Sequence, residues 1–150
     1  FGGNFEVFHY TQILQRLTEE KNIKTHKGFN AKVTCHDPCF LGRWNEEYEA
    51  PRAVLRAVRG IDLVEMEKSR EGSLCCGGGG GNFQIDLLGG SESSPARRRV
   101  REARETGADI LVVACPKCLV MFNEAVESEG MKEKLEVMDV SEVLAKACSK

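Results

Sequence analysis

Six of the seven cysteines in this 150-residue chain fall into three groups: Cys35 with Cys39, Cys75 with Cys76, and Cys115 with Cys118. Cys75-Cys76 run straight into Gly77-Gly78-Gly79-Gly80-Gly81. Neighbouring cysteines bond each other only with strain, because adjacent Cα atoms sit too close for relaxed disulfide geometry. Both sulfurs therefore need partners elsewhere. Five successive glycines cost backbone entropy and offer nothing to pack, so such a run is tolerable only where the chain needs φ > 0 or very close approach to something. A group bound through sulfur meets that description. A zinc site uses four thiolates. Five or six converging cysteines exceed that number, whereas an iron–sulfur cluster presents several irons and takes up the surplus. The N–H groups of Gly77, Gly78 and Gly79 can point at sulfide and thiolate sulfurs, and such hydrogen bonds raise a cluster's potential by stabilising added negative charge. On spacing alone, zinc and a disulfide or reactive thiol stay open beside the cluster. A phosphate-binding loop does not, since no Lys-Ser or Lys-Thr follows Gly81.

For these groups to meet, the intervening elements must bring them to one place. Residues 5–9 alternate as a short strand, Thr11–Lys21 carry a helical face, and 21–30 is a polar connector. Ala31–Cys35 is a β-type run that stops at His36-Asp37-Pro38-Cys39, where proline bars a central strand. A helix follows from Glu46 to Gly60, then a strand over Ile61–Met66. The segment 67–94 reads as a long loop with eight of the fifteen glycines, a length that suggests function. Ser94 caps a basic helix with Pro95 at its first position. Asp109–Ala114 is nearly all apolar, as a strand covered on both faces is, and delivers the chain to Cys115-Pro116-Lys117-Cys118. A helix, a strand at 135–140 and a last helix complete the chain. Strands alternating with helices predict an α/β fold: an open, mostly parallel sheet with helices on both faces. Ligands in such folds sit beyond the carboxyl ends of the strands, which is where all three cysteine groups fall.

Composition narrows the possibilities. A net charge of −2 with 29% charged residues leaves no broad basic face for nucleic acid. An odd number of clustered cysteines indicates a reducing, cytoplasmic setting and metal or redox duty. No apolar run reaches the ~20 residues of a membrane span. The opening 5–14 parallels the close at 135–144, each reading as strand, Thr or Ser cap, then apolar helix face. Residues 1–30 are therefore expected to be the tail of a preceding repeat or a connector, and 31–150 the cysteine-rich domain of a longer protein.

Thirty-five residues separate Cys39 from Cys75, and thirty-eight separate Cys76 from Cys115. With His36-Asp37-Pro38-Cys39, Leu41-Gly42-Arg43 and Cys75-Cys76-Gly77, this pattern resembles the CCG, or cysteine-rich, domain of heterodisulfide-reductase-like iron–sulfur oxidoreductases. That group includes the B-type and D-type components of heterodisulfide reductase. The resemblance covers about residue 30 to the end. It implies a [4Fe–4S]-type cluster, noncubane in the best-described members, held by Cys39, Cys75, Cys76, Cys115 and Cys118. It also implies electron transfer from an upstream ferredoxin-like or flavin module to a disulfide, a quinone or a related acceptor. A membrane-bound, quinone-linked subunit would hold the protein at the inner membrane face. The chain by itself is then part of an oxidoreductase, inactive alone, and an isolated fragment can pick up zinc or arrive empty. Cys35 departs from the family pattern; a ligand, a substrate-exchanging group and a small core residue are the readings open to it, the last favoured.

Two rivals stand beside this reading. Cys115-Pro116-Lys117-Cys118 follows a strand and opens a helix, the setting of a thioredoxin-like thiol–disulfide exchanger, although that leaves Cys75-Cys76 without a role. A zinc-stabilised interaction module is the other. His36 is either a donor to a thiolate or a cap on the Pro38 turn. Arg43 and the arginine-rich helix are read chiefly as surface groups, Trp44 and Tyr48 as packing near the site or in the core, and Cys148 as an ordinary thiol.

Overall fold

Ile110-Leu111-Val112-Val113 is buried at every position, because layers of helix cover both sides of it. In the computed structural model, which describes residues 2–28, 30–88 and 90–148, these residues form β3 (Ile110–Val113), an inner strand. The other strands are β1 (Ala31–Cys35), β2 (Ile61–Val64) and β4 (Glu136–Asp139). All pairings are parallel and the strand order is β2-β1-β3-β4, in agreement with the expected α/β sheet. The helices are α1 (Tyr10–Glu19), α2 (Glu49–Arg56), α3 (Pro95–Glu105), α4 (Pro116–Ser128) and α5 (Val140–Cys148).

Side-chain alternation along the strands divides the core in two. Val33, Cys35, Ile110, Val112 and Met138 pack with Val54 and Leu55 of α2, Val143 and Leu144 of α5, and Tyr10 and Leu14 of α1. Leu111, Val113 and Val137 pack with Val100 and Ala103 of α3 and Met121, Phe122 and Val126 of α4. The chain leaves β1 in one direction to reach β2 and then returns past it to β3. Right-handed crossovers put the connecting helices on opposite faces for opposite directions of travel, which is the observed division of α2 from α3 and α4. The reversal point, between β1 and β3, is where a doubly wound sheet opens a crevice at its carboxyl edge.

Several local expectations fail. Residues 5–9 form no strand, and Phe5 and Val7 are 83% and 88% exposed. Alternation alone cannot make a strand without a ladder partner, and the sheet edges here are β2 and β4. His9 instead caps α1: its ring accepts from Thr11 N while the Gln12 side chain accepts from His9 N at 2.9 Å. Asp139 plays the same part for α5, accepting from Ser141 N at 2.8 Å. The caps thus precede the Thr and Ser positions that the sequence suggested. The second helix starts at Glu49, after Glu46 at φ 56, and β2 stops at Val64. Ser94 stands at the cap position of α3, yet its hydroxyl makes no cap bond.

Candidate metal centre

β1 delivers His36-Asp37-Pro38-Cys39 to the reversal point. His36 N still donates to Val112 O at 2.8 Å, so the ladder continues one residue past Cys35 before Pro38 ends it. A buried ion-pair network then fixes the turn. Arg52 of α2 is fully buried, and all five of its N–H groups are used. It grips Asp37 at 2.5 and 3.0 Å, Glu65 at 2.6 and 2.8 Å, and Tyr48 O at 2.8 Å. Asp37 also accepts from Arg70 N at 2.7 Å, which ties the turn carrying Cys39 to the short 3-10 helix Arg70–Gly72 just ahead of Cys75.

The second stretch needs its glycines for two separate reasons. Gly77 has φ +83, and a Cβ there would lie 3.3 Å from the Pro95 ring at the start of α3. At Gly78 a Cβ would lie 2.9 Å from Met121 Cγ, so only hydrogen fits against buried Met121. The turn folds its amides back on the thiols: Gly77 N donates to Cys75 Sγ at 3.3 Å, and Gly78 N donates to Cys76. Gly79 opens the 3-10 helix Gly79–Gln84, and among the described residues it makes no sulfur contact, so two of the three expected cradle glycines face a thiol.

The third stretch begins where β3 meets α4. Cys115 is the N-cap residue of α4 and Pro116 the first residue of the helix. Cys115 Sγ accepts from the amides of Lys117 and Cys118. Cys118 turns inward and donates to Cys76 Sγ at 3.3 Å.

Four of the five expected sulfurs are joined pairwise: Cys75 and Cys76 are hydrogen-bonded neighbours, and Cys118 bonds both Cys76 and Cys115. Cys39 bears on Cys75 through charge alone. Cys76 and Cys118 are buried, Cys39 and Cys115 half-buried, and Cys75 exposed. His36, fully buried, brings a ring nitrogen within 4.8 Å of the Cys76 and Cys118 sulfurs, and it favours the ionised form of Cys76. It is therefore a donor beside a thiolate and not a cap on the Pro38 turn. Cys35 is apart, wholly buried in the core shared with α2 and α5. Burial pushes its thiol up to about 12, so it stays protonated.

Protons are unevenly shared around the rim. Donation from Cys118 holds Cys76 well below the ordinary thiol range, with help from His36 and Gly78 N against the opposing effect of burial. Cys115 is lowered to about 6, first by Cys118 and then by the two helix amides. Cys118, donor to both, is pushed far up. Its proton is thus shared with Cys76 as well as Cys115, which is not how an isolated dithiol behaves. Burial also raises Cys75. This donor set, soft and partly ionised, fits a thiophilic metal or an iron–sulfur cluster. Concavity is no guide to the site: a cleft of about 560 Å³ lined by Leu14, Ile23, His26 and Cys148 holds none of the five sulfurs.

Sequence reasoning missed the supports. Asp37, Arg52 and Glu65 form a network with no local signature, and Arg99 sits inside a run of arginines. Arg99 is buried, while Arg97 and Arg101 pair with Glu129 and Glu92, so this helix is largely neutralised inside the fold. Arg43 is exposed and donates to Ser73 O at 2.9 Å. Trp44, at 74% exposure, fills no core, whereas Tyr48 packs on Gly42. Cys148 is half-buried at the end of α5.

The sequence profile of a cysteine-rich domain family, CCG, matches residues 33–123. The chain is 39% identical to the EtfAB:quinone oxidoreductase of Syntrophomonas wolfei, over 97% of the chain and 21% of that protein. It is 43% identical to a probable membrane-anchored ferredoxin of Chromohalobacter salexigens, over 97% of the chain and 21% of that protein. It is 41% identical to one component of the dihydromethanophenazine:CoB–CoM heterodisulfide reductase of Methanosarcina barkeri, over 95% of the chain and 34% of that protein. The chain thus spans from a fifth to a third of the length of these relatives. Among the described residues no helix is long and apolar enough to cross a membrane.

Proposed function

The chain belongs to the CCG family of cysteine-rich domains, and from that premise we propose that it is the cluster-binding, electron-transferring domain of an iron–sulfur oxidoreductase. Cys39, Cys75, Cys76, Cys115 and Cys118 would hold a [4Fe–4S]-type cluster. The observation that carries this reading is the meeting of three distant stretches at the reversal point of the sheet, where the Cys118 and Cys76 sulfurs lie 3.3 Å apart and His36, on the turn that carries Cys39, lies within 4.8 Å of both. When bound, such a cluster supplies one-electron transfer, with its potential set by hydrogen bonds to sulfur and by exposure.

The chain's own residues divide the remaining work. Asp37, held by Arg52, keeps the Cys39 turn in place. Gly77 and Gly78 direct their amides at the Cys75 and Cys76 sulfurs, and α4 directs its first amides at Cys115. The buried Cys76 and Cys118 close the inner side to water, while Cys75 and Cys39 leave an outer side that another redox group can approach. The names of the relatives point to the kinds of acceptor, a quinone or a heterodisulfide. A ferredoxin-like or flavin module is the donor, and membrane association comes through other regions or subunits.

The test is anaerobic loading of the intact protein with iron and sulfide, followed by metal analysis and electron paramagnetic resonance, beside the Cys76→Ser variant. Wild-type protein should hold more iron and sulfide, in equal amounts, than the variant, and show a signal on reduction or oxidation that the variant lacks. One zinc per chain with no sulfide at this site would defeat the reading.

A further inference from the structure

The fully buried guanidinium of Arg99 donates through Nη1 to Lys68 O at 2.6 Å and Glu102 Oε2 at 2.8 Å, and through Nη2 to Ser73 Oγ at 3.1 Å. Its Nε–H points somewhere less expected, at His36 Nδ1, 3.3 Å away. A guanidinium can only donate. Nδ1 must therefore accept, and the imidazole carries its proton on Nε2. Phe122 packs edge-on against the ring, with centroids 4.7 Å apart and planes at 84°, so it cannot turn over without displacing a buried neighbour. The Cys76 and Cys118 sulfurs lie within 4.8 Å of a His36 ring nitrogen, and of the two it is Cys76 whose ionisation the imidazole favours.

We infer that Arg99 and His36 are a pair of positioning residues: Arg99 fixes the tautomer, and His36 Nε2–H then places a hydrogen bond on Cys76 Sγ that raises the potential of the group bound there. The proposal rests on the cluster reading given above. It follows from sign alone, because a donor to sulfur favours the more negative, reduced state. Arg99 also grips Ser73, three residues ahead of Cys76, so the same side chain positions both partners of the bond.

Two measurements decide it. In the intact, cluster-loaded protein, His36→Asn removes the donor at the Nε2 position and His36→Gln restores an N–H near it. His36→Asn should keep full iron and sulfide while its reductive titration, followed by electron paramagnetic resonance, shifts to more negative potential; His36→Gln should lie close to wild type. An unshifted potential in His36→Asn overturns the proposal, as does loss of iron in both variants, which would make His36 a ligand or a folding residue. In metal-free, reduced protein, nitrogen-15 imidazole shifts should report the Nε2–H tautomer for His36, and a mixture in Arg99→Met. A wild-type Nδ1–H tautomer overturns the pairing even if Arg99→Met fails to fold. Wild-type protein that takes up no iron and sulfide sinks the cluster reading itself, and this proposal with it.

Discussion

Asp37→Asn is the change that most directly separates support of the site from the site itself. Asn keeps the size of Asp37 but gives Arg52 one acceptor where it had two, and turns an NH2 group toward the guanidinium. Arg52 is 0% exposed, so the N–H left without a partner finds no water. Breaking a buried pair by removing one partner costs ~3–5 kcal/mol. Here Glu65 still accepts two N–H groups, and its side chain is 36% exposed, which places the loss at the low end, about 3 kcal/mol. For a chain of this size that corresponds to a drop of roughly 6–12 °C in Tm. Glu65→Gln should cost less, because water can reach that end of the network. The assay is thermal unfolding of reduced, metal-free protein by circular dichroism, followed by iron uptake under loading conditions. Uptake should also fall, since Asp37 holds both the Cys39 turn and, through Arg70 N, the approach to Cys75. A melting point within about 2 °C of wild type, on the same scale, or a larger effect from Glu65→Gln, would refute the claim that this network is what holds the turn.

Other outcomes follow from single features of the rim. Gly78→Ala places a Cβ 2.9 Å from Met121 Cγ and should cost ~1–3 kcal/mol of stability in urea unfolding through overpacking alone. Ser94→Ala, at a helix cap position, should be neutral or slightly stabilising in the metal-free protein, against the ~1 kcal/mol usually lost there, because its hydroxyl makes no cap bond and is buried without a partner. Iodoacetamide labelling of reduced, metal-free protein, mapped by mass spectrometry, should rise at Cys115 as pH passes about 6. The thiolate is the nucleophile and its pKa is depressed, so labelling is slow below that pH and fast above it. Cys75, although exposed, has its pKa raised and should label later; faster labelling of Cys75 at neutral pH would reverse the assignment.

What could be read from the chain was its periodicity and spacing. The all-apolar Ile110–Val113 announced a strand covered on both faces, and the alternation of strands with helices gave the parallel sheet and the edge on which three cysteine groups meet. The supports left no such trace. Arg52 and Asp37 stand fifteen residues apart, and Arg99 and His36 sixty-three, and an ion pair between elements has no period to detect. Arg99 was further disguised by the flanking arginines that pair with Glu129 and Glu92. The expected strand at 5–9 failed for the complementary reason: apolar alternation was present, but a sheet partner was not. His9 and Asp139 replaced Thr11 and Ser141 as caps because a cap is chosen by which acceptor reaches the free amides, and the residue order hid that here.

The charge balance of the rim argues for a group that brings positive charge with it. Both buried arginines near the site are already matched, Arg52 by Asp37 and Glu65 and Arg99 by Glu102, so neither has net charge to offer to thiolates. What the protein does provide is dipolar: the amides of Gly77, Gly78, Lys117 and Cys118, and the His36 donor. Together with donation from the Cys118 thiol, the larger effect on both, these favour ionisation of Cys76 and Cys115, and leave Cys118 and Cys75 protonated. Full ionisation of all five sulfurs would place like charges together at a partly dry edge, and only bound cations can offset that cost. Loading must therefore expel protons from Cys118 and Cys75, so iron uptake at limiting metal should increase with pH through the neutral range. Uptake that is flat with pH would mean that these two sulfurs are not ligands.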